Sequence, residues 1–173
     1  MTGDNPPAEW GTARERRIAW FDPKVTSDAV RSMSGIDMLR AMRDGAIPLA
    51  SLSYTLNMTL TAVEVGKVEF TCLPDSSMYN PIGTVHGGVA CTLLDSVLGC
   101  AVHSTLEAGV GYTTIELKCN FLRAISADTG LITARGWVTK PGRRVAFSDA
   151  EIVDEEGRTL ATGTGSCLVV AAD

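Results

Sequence analysis

The sequence is poor in the residues that a metal site or a disulfide scaffold needs. It has two histidines, His86 and His103, and five cysteines, Cys72, Cys91, Cys100, Cys119 and Cys167. The cysteines are odd in number, scattered and without a C-x-x-C pair, which argues against a disulfide framework or a structural zinc site. Reduced thiols in a cytoplasmic protein are the expectation. Basic charge is also in short supply, with a formal net charge of −5. A broad nucleic-acid footprint needs a basic face, so no nucleic-acid partner is expected. A local group of Arg and Lys is still enough to hold a small anion.

Long apolar runs are missing too. The longest, residues 87–102, is interrupted by Asp95 and Ser96 and is short for a membrane span. The first twenty residues, MTGDNPPAEWGTARERRIAW, are polar and lack the apolar stretch of a secretory signal. No membrane partner is expected, and the N-M-T at Asn57 reads as a chance sequon. There is no internal repeat and no low-complexity tract.

What remains is a chain of 173 residues, 45% hydrophobic and 20% charged, enough for one folded domain with a real core. Residues 1 to about 33 read as an extended arm or a partly ordered extension with a basic patch at Arg14, Arg16 and Arg17. Trp10, Trp20 and Phe21 suggest that it docks, either on its own domain or as a lid. SGIDMLRAMRDG predicts a short helix, with Ser34 as N-cap, an Ile36, Leu39, Met42 stripe and Gly45 as terminator. From about Ser51 the pattern turns to strands: LSYTLNMTLTAVEV and KVEFTCL, then a loop over 74–83, a long apolar helix, and four strands, YTTIELKCNFL, LITARGWVTK, RVAFSDAEIV and RTLATGTGSCLVV. Two strands, one long helix and four strands make an α+β layer architecture. The expected division is an N-terminal extension, 1–48, with a short helix, and a domain over 49–173.

The apolar helix contains a problem. An isolated ionised carboxylate in apolar surroundings is costly unless it is paired or hydrated, yet Asp95 sits in HGGVACTLLDSVLGCAVH. On a helical wheel Gly88, Thr92, Asp95, Ser96, Gly99 and His103 share one narrow face. That stripe is either a packing face with Asp95 satisfied locally, or a ligand channel in which Asp95 reacts, with water and the Thr92 and Ser96 hydroxyls around it. The bulky residues cover the rest, so Cys91 and Cys100 read as core. His103 reads as a helix-end histidine beside the C-terminal dipole.

The segment before the helix, NPIGTVHGG, bears on that choice. Glycines at a helix start leave unsatisfied N–H groups open to an approaching oxygen, and the dipole there favours negative charge. This is the equipment of an oxyanion hole, which acyl transfer uses. His86 and Asn80 add polar side chains beside it.

NPIGTVHGGVACTLLD, with the strand TTIELKCNFLR after it, closely resembles the signature of hotdog-fold acyl-CoA thioesterases of the PaaI-like group. The resemblance covers about residues 50–170. It implies a hotdog fold, a long central helix wrapped by an antiparallel sheet of five to six strands, with two subunits joining into one sheet. It implies catalytic roles: Asp95 as general base or nucleophile, Gly87 as the backbone donor to the thioester carbonyl, Asn80 and His86 as orienting groups, and Thr114 as a holder of the water, with Thr113 as its alternative. Gly88 would line the substrate site. The substrate would be an acyl-CoA, and no cofactor or metal is called for. Coenzyme A is anionic, so Arg123, Lys140, Arg143 and Arg144 are candidates for its binding. Arg143 and Arg144 read equally well as an ordinary solvated turn.

Gly87 and Asp95 lie eight positions apart, about 12 Å along one helix. A reacting carbonyl has to lie about 3 Å from both the oxyanion donor and the attacking group. If these two residues share a site, it is built by two antiparallel helices from two subunits. At least a dimer follows from that chemistry, and the resemblance leaves a homo-oligomer that is a dimer or a dimer of dimers. The competing functions are a non-catalytic acyl-CoA sensor and an acyl-thioester hydratase or dehydratase. The acyl group, aryl or alkyl, is left open.

Overall fold

The computed structural model describes residues 7–171. Six strands form one antiparallel sheet: β1 (Met58–Glu64), β2 (Lys67–Cys72), β3 (Val110–Phe121), β4 (Ile132–Lys140), β5 (Val145–Val153) and β6 (Thr159–Ala171). Their order is β1-β2-β4-β5-β6-β3, so β1 and β3 are the edges. A long helix, α4 (Gly87–His103), lies across one face of the sheet. This is the α+β hotdog arrangement that the sequence led us to expect.

The core is the interface between α4 and the sheet. Leu93, Leu94, Val97, Leu98, Ala101 and Val102 are essentially inaccessible. Each Leu or Val buried in this way contributes roughly 1.5–3 kcal/mol. The sheet meets the helix very closely at Gly136, where a Cβ would stand 2.4 Å from the Val97 carbonyl oxygen. Only glycine at that point of β4 lets the helix lie down on the strands.

The first part of the chain differs from the expectation in two places. The N-terminal extension holds two α-helices rather than one among the described residues, α1 (Pro23–Ser32) and α2 (Gly35–Arg43). The local grammar of α1 is present: Asp22 accepts the Lys24 N–H at 2.9 Å as N-cap, Pro23 opens the helix, and Lys24 pairs with Asp28 one turn on. Its apolar signal is faint because only Ala29 is buried. α2 is as expected, with the Ser34 hydroxyl accepting the Asp37 N–H at 3.3 Å and Gly45 in the left-handed region at φ 76°.

The second correction is at Ser51–Thr55, which is a short helix, α3, and not the start of a strand. Leu52, Tyr54 and Leu56 alternate as a strand would, and that pattern misled. Asn57, at φ 49°, takes the left-handed conformation that ends the helix, and β1 begins one residue later. The arm before α1 docks on the body: Arg16 pairs with Asp75 at 2.8 Å, Arg14 donates to Ser76 at 3.0 Å, and Phe21 meets Tyr54 edge-on. Trp10 and Trp20 stay exposed. Among the described residues no helix is long and apolar enough to cross a membrane.

Candidate active site

The candidate residues fall into two groups at different heights along α4. The first group surrounds the helix start. His86 is the N-cap, and its Nδ1 accepts the Gly88 N–H at 3.0 Å. That bond places the ring proton on Nε2, so the imidazole offers a donor to the outside. The Gly87 N–H makes no hydrogen bond among the described residues. A Cβ on Gly87 would stand 3.1 Å from the Phe121 ring, so glycine keeps this N–H approachable.

Asn80 holds the turn that delivers His86. Its Oδ1 accepts the N–H groups of Ile82 and Thr84, and its Nδ2 donates to the Thr84 hydroxyl at 2.9 Å. One amide hydrogen is left over. Asn80, His86, Gly87, Phe121 and Arg123 line a common pocket of about 420 Å³.

The second group is centred on Asp95. This residue is half-buried, and its Oδ1 is enclosed without a hydrogen-bond partner. The expected hydroxyls do not serve it. Ser96 donates back to the Thr92 carbonyl at 2.8 Å and Thr92 to the Gly88 carbonyl at 2.9 Å, both one turn down their own helix. Asp95 lines two spaces. One is a shallow cleft shared with Cys91, Thr92 and Thr114 of β3. Thr114 lines this cleft and Thr113 does not. The other is a largely apolar cavity of about 470 Å³ that runs from Asp95 and Ser96 under α2 to His103.

One further expectation changes here. Cys91 is not in the core; it is half-buried and lines the shallow cleft beside Asp95, whereas Cys100 packs against the core cluster and also lines the apolar cavity. Burial nonetheless pushes the Cys100 thiol up to about 12, which disarms it as a nucleophile. His103 is the last residue of α4, as expected. It is buried, its Nε2 lies 3.4 Å from the Met38 sulfur, and burial lowers its pKa. The sequence reading passed over the cavity wall, Met38, Met42 and Tyr112, because it is assembled from α2 and the start of β3.

The two groups share no lining residue. Within one chain, Gly87 lies beside Phe121 near the end of β3, and Asp95 beside Thr114 nearer its start. The basic residues divide in the same way. Arg123 lies with the Gly87 group, whereas the exposed turn of Arg143 and Arg144 adjoins the start of β3 through β6, where the Val169 N–H is donated to the Arg144 carbonyl. Lys140 lies over the Phe147 ring at 5.7 Å, away from both groups. Among the described residues no cluster of three or more His, Cys, Asp or Glu could hold a metal ion.

Comparison with known proteins decides what this frame is. The profile of the thioesterase superfamily matches residues 82–161, which takes in His86, Gly87, Asp95 and Thr114. A solved structure from Ralstonia eutropha, a phenylacetic acid degradation-related protein, is 31% identical; the alignment covers 75% of this chain and 98% of that one, with a TM-score of 0.69. The chain belongs to the thioesterase superfamily. Human acyl-coenzyme A thioesterase 13 is 29% identical over 108 residues, 61% of this chain and 75% of that one. A Halobacterium salinarum protein grouped with the esterases is 34% identical over 99 residues, 53% of this chain, and the match spans 64% of its own length. Family membership fixes the reaction class as thioester hydrolysis and places the chain with the PaaI-like hotdog proteins.

Proposed function

We propose that this thioesterase hydrolyses an acyl-CoA, using the Asp95 carboxylate of one subunit and the Gly87 N–H of another. The observation that carries the reading is the enclosed, unpartnered Oδ1 of Asp95 at the polar end of an apolar cavity. A carboxylate is left in such a place at a cost, and a bound reactant explains why it is kept. Its family relationship to human acyl-coenzyme A thioesterase 13 supports coenzyme A as the thiol.

Asp95 takes a proton from water as the water oxygen bonds to the thioester carbonyl carbon. The carbonyl oxygen, now negative, is held by the free Gly87 N–H at the positive end of α4. When the intermediate collapses, the C–S bond breaks, coenzyme A leaves as a thiolate and takes up a proton, and the acid is released. Thr114 is placed to hold the water, and His86 Nε2–H and the spare Asn80 hydrogen to orient the thioester.

A dimer completes the site. β3 is an edge strand of 12 residues with no neighbour on its outer side among the described residues, and it exposes Ile115 and Phe121. Pairing it antiparallel with a second copy about a twofold axis near Leu117 sets Phe121 of one copy beside Thr114 of the other. Gly87 of one then faces Asp95 of its mate. The same operation brings Arg123 towards the Arg143–Arg144 turn of the second copy, a basic rim suited to the phosphates of coenzyme A. The five unpaired cysteines fit a reducing, cytoplasmic setting.

The test is hydrolysis of a panel of aryl- and alkyl-acyl-CoAs, followed by loss of thioester absorbance, for the wild type and Asp95→Asn. The expected outcome is turnover by the wild type and a loss of orders of magnitude in the variant. Binding without turnover by both proteins would instead favour an acyl-CoA sensor.

A further inference from the structure

Among the described residues, two enclosed side-chain polar atoms have no hydrogen-bond partner: Asp95 Oδ1 and His103 Nδ1. Both residues line the same cavity of about 470 Å³. They sit eight residues apart on α4, about 12 Å along its axis, one at each end of an otherwise largely apolar chamber. Orphaned buried polar atoms are uncommon in folded proteins, and each calls for an explanation. The mechanism above accounts for Asp95. It makes no use of His103.

The surroundings of His103 define what it can bind. The ring is 5% exposed and packs against Tyr112, with ring centroids 5.5 Å apart. Its Nε2 is 3.4 Å from the Met38 sulfur, a weak acceptor that the Nε2 proton can meet. Nδ1 is then an unprotonated acceptor that lacks a donor. Burial disfavours the imidazolium, so the ring stays neutral and attracts no anion. A cationic donor would be costly among Leu39, Met42 and Phe70. A hydroxyl is the neutral donor that fits.

We infer that the chamber selects acyl groups carrying a hydroxyl at the end remote from the thioester, which donates its proton to Nδ1 of His103. His103 is thereby a specificity-determining residue. The walls favour a flexible chain over a flat ring: Met38, Leu39, Met42 and Leu49 supply rotatable aliphatic and thioether groups. These four come from α2 and the segment after it, outside the stretch that the superfamily profile matches. The selectivity therefore combines a polar group on α4 with walls that this chain's own α2 and the segment after it supply.

The inference rests on the acyl-CoA reading, and one experiment separates the two. Saturated acyl-CoAs of about six to about twelve carbons, each with and without a terminal hydroxyl, bracket the length of the chamber. The expected result is a wild-type kcat/KM at least about tenfold higher for the hydroxylated member of the pair at one chain length, since an analogue lacking the hydroxyl leaves the acceptor unpaired. His103→Leu should abolish that preference, bringing the kcat/KM ratio of the hydroxylated to the plain member of each pair down to about one. If wild type hydrolyses the plain chains but shows no preference at any length, a trapped water satisfies Nδ1 and the inference falls, while the thioesterase reading stands. A preference that survives His103→Leu also overturns it. If no acyl-CoA is hydrolysed, the underlying reading fails. The wild-type comparison decides the matter even if the variant does not fold.

Discussion

The Tyr112 ring occupies the space that a side chain on Gly99 would need: a Cβ there would stand 2.5 Å from the nearest ring carbon. The relation joins the middle of α4 to the first residues of the edge strand, in the wall of the chamber between Asp95 and His103. Gly99→Ala is therefore expected to destabilise the protein by about 1–3 kcal/mol, as overpacking does. The displaced ring should also narrow the chamber, so KM should rise for the longer acyl-CoAs and change least for the shortest. Urea unfolding and a chain-length series check the two halves of this prediction.

The Gly87 N–H can be removed without removing the helix. Gly87 is the first residue of α4, where proline lacks nothing that the helix needs. His86, at φ −61° and ψ 134°, already has the extended conformation that a following proline favours. Gly87→Pro should keep helical circular dichroism and lose about 10²–10³ in kcat, the usual consequence of deleting an oxyanion donor. Gly87→Ala keeps the N–H and introduces only the 3.1 Å approach to Phe121, so it serves as the steric control. Equal losses in both variants would show that crowding, not the N–H, matters.

The fold was legible because α4 and the strands β3 to β6 carry dense local signals, apolar and wheel-patterned or alternating. The candidate residues of NPIGTVHGG and Asp95 could be singled out for a related reason: they are close in sequence. What escaped was long-range. The cavity wall joins Met38 to Tyr112 across some seventy residues, and no periodicity announces that contact. The helix-end place of His103 was legible, but its burial was not, because it packs on Met38 of α2, distant in sequence. The stretch LSYT alternates like a strand, and only the left-handed Asn57 marks it as the end of a helix.

His103 predicts a pH dependence of stability. Its folded pKa is depressed by burial below the ordinary value of 6.5. The unfolded chain therefore takes up a proton first as pH falls. The stability contributed by this residue is intact above about pH 6.5 and is lost on acidification towards the folded pKa. Urea midpoints between pH 8 and 5 should fall in the wild type and fall less in His103→Leu. An equal fall in both would remove His103 as the cause.

The thiols should be spectators of catalysis. Burial pushes Cys72 up to about 11, and Cys100 and Cys119 to about 12. Little thiolate is available at neutral pH in the folded protein. Iodoacetamide at pH 7.5 should leave these three unmodified by peptide mapping and leave turnover unchanged, with rapid labelling only in denaturant. Loss of activity in step with modification of Cys100 would reopen the assignment of the nucleophile.

The proposed sharing of the site between subunits makes the most demanding prediction. Gly87→Pro and Asp95→Asn each disable both sites of a dimer in which every site draws Gly87 from one subunit and Asp95 from the other. In a hybrid of the two variants, one site carries both lesions and the other carries neither, because a twofold axis exchanges the contributions. Equimolar variants, unfolded together and refolded, assort into about half hybrids, each with one intact site, so activity should return to about a quarter of wild type. If both residues served a site within one chain, every site in the mixture would still carry a lesion and no activity would return. The same mixture, combined without unfolding, should gain activity only as fast as subunits exchange. That links the recovery to chain pairing rather than to residual activity of either variant.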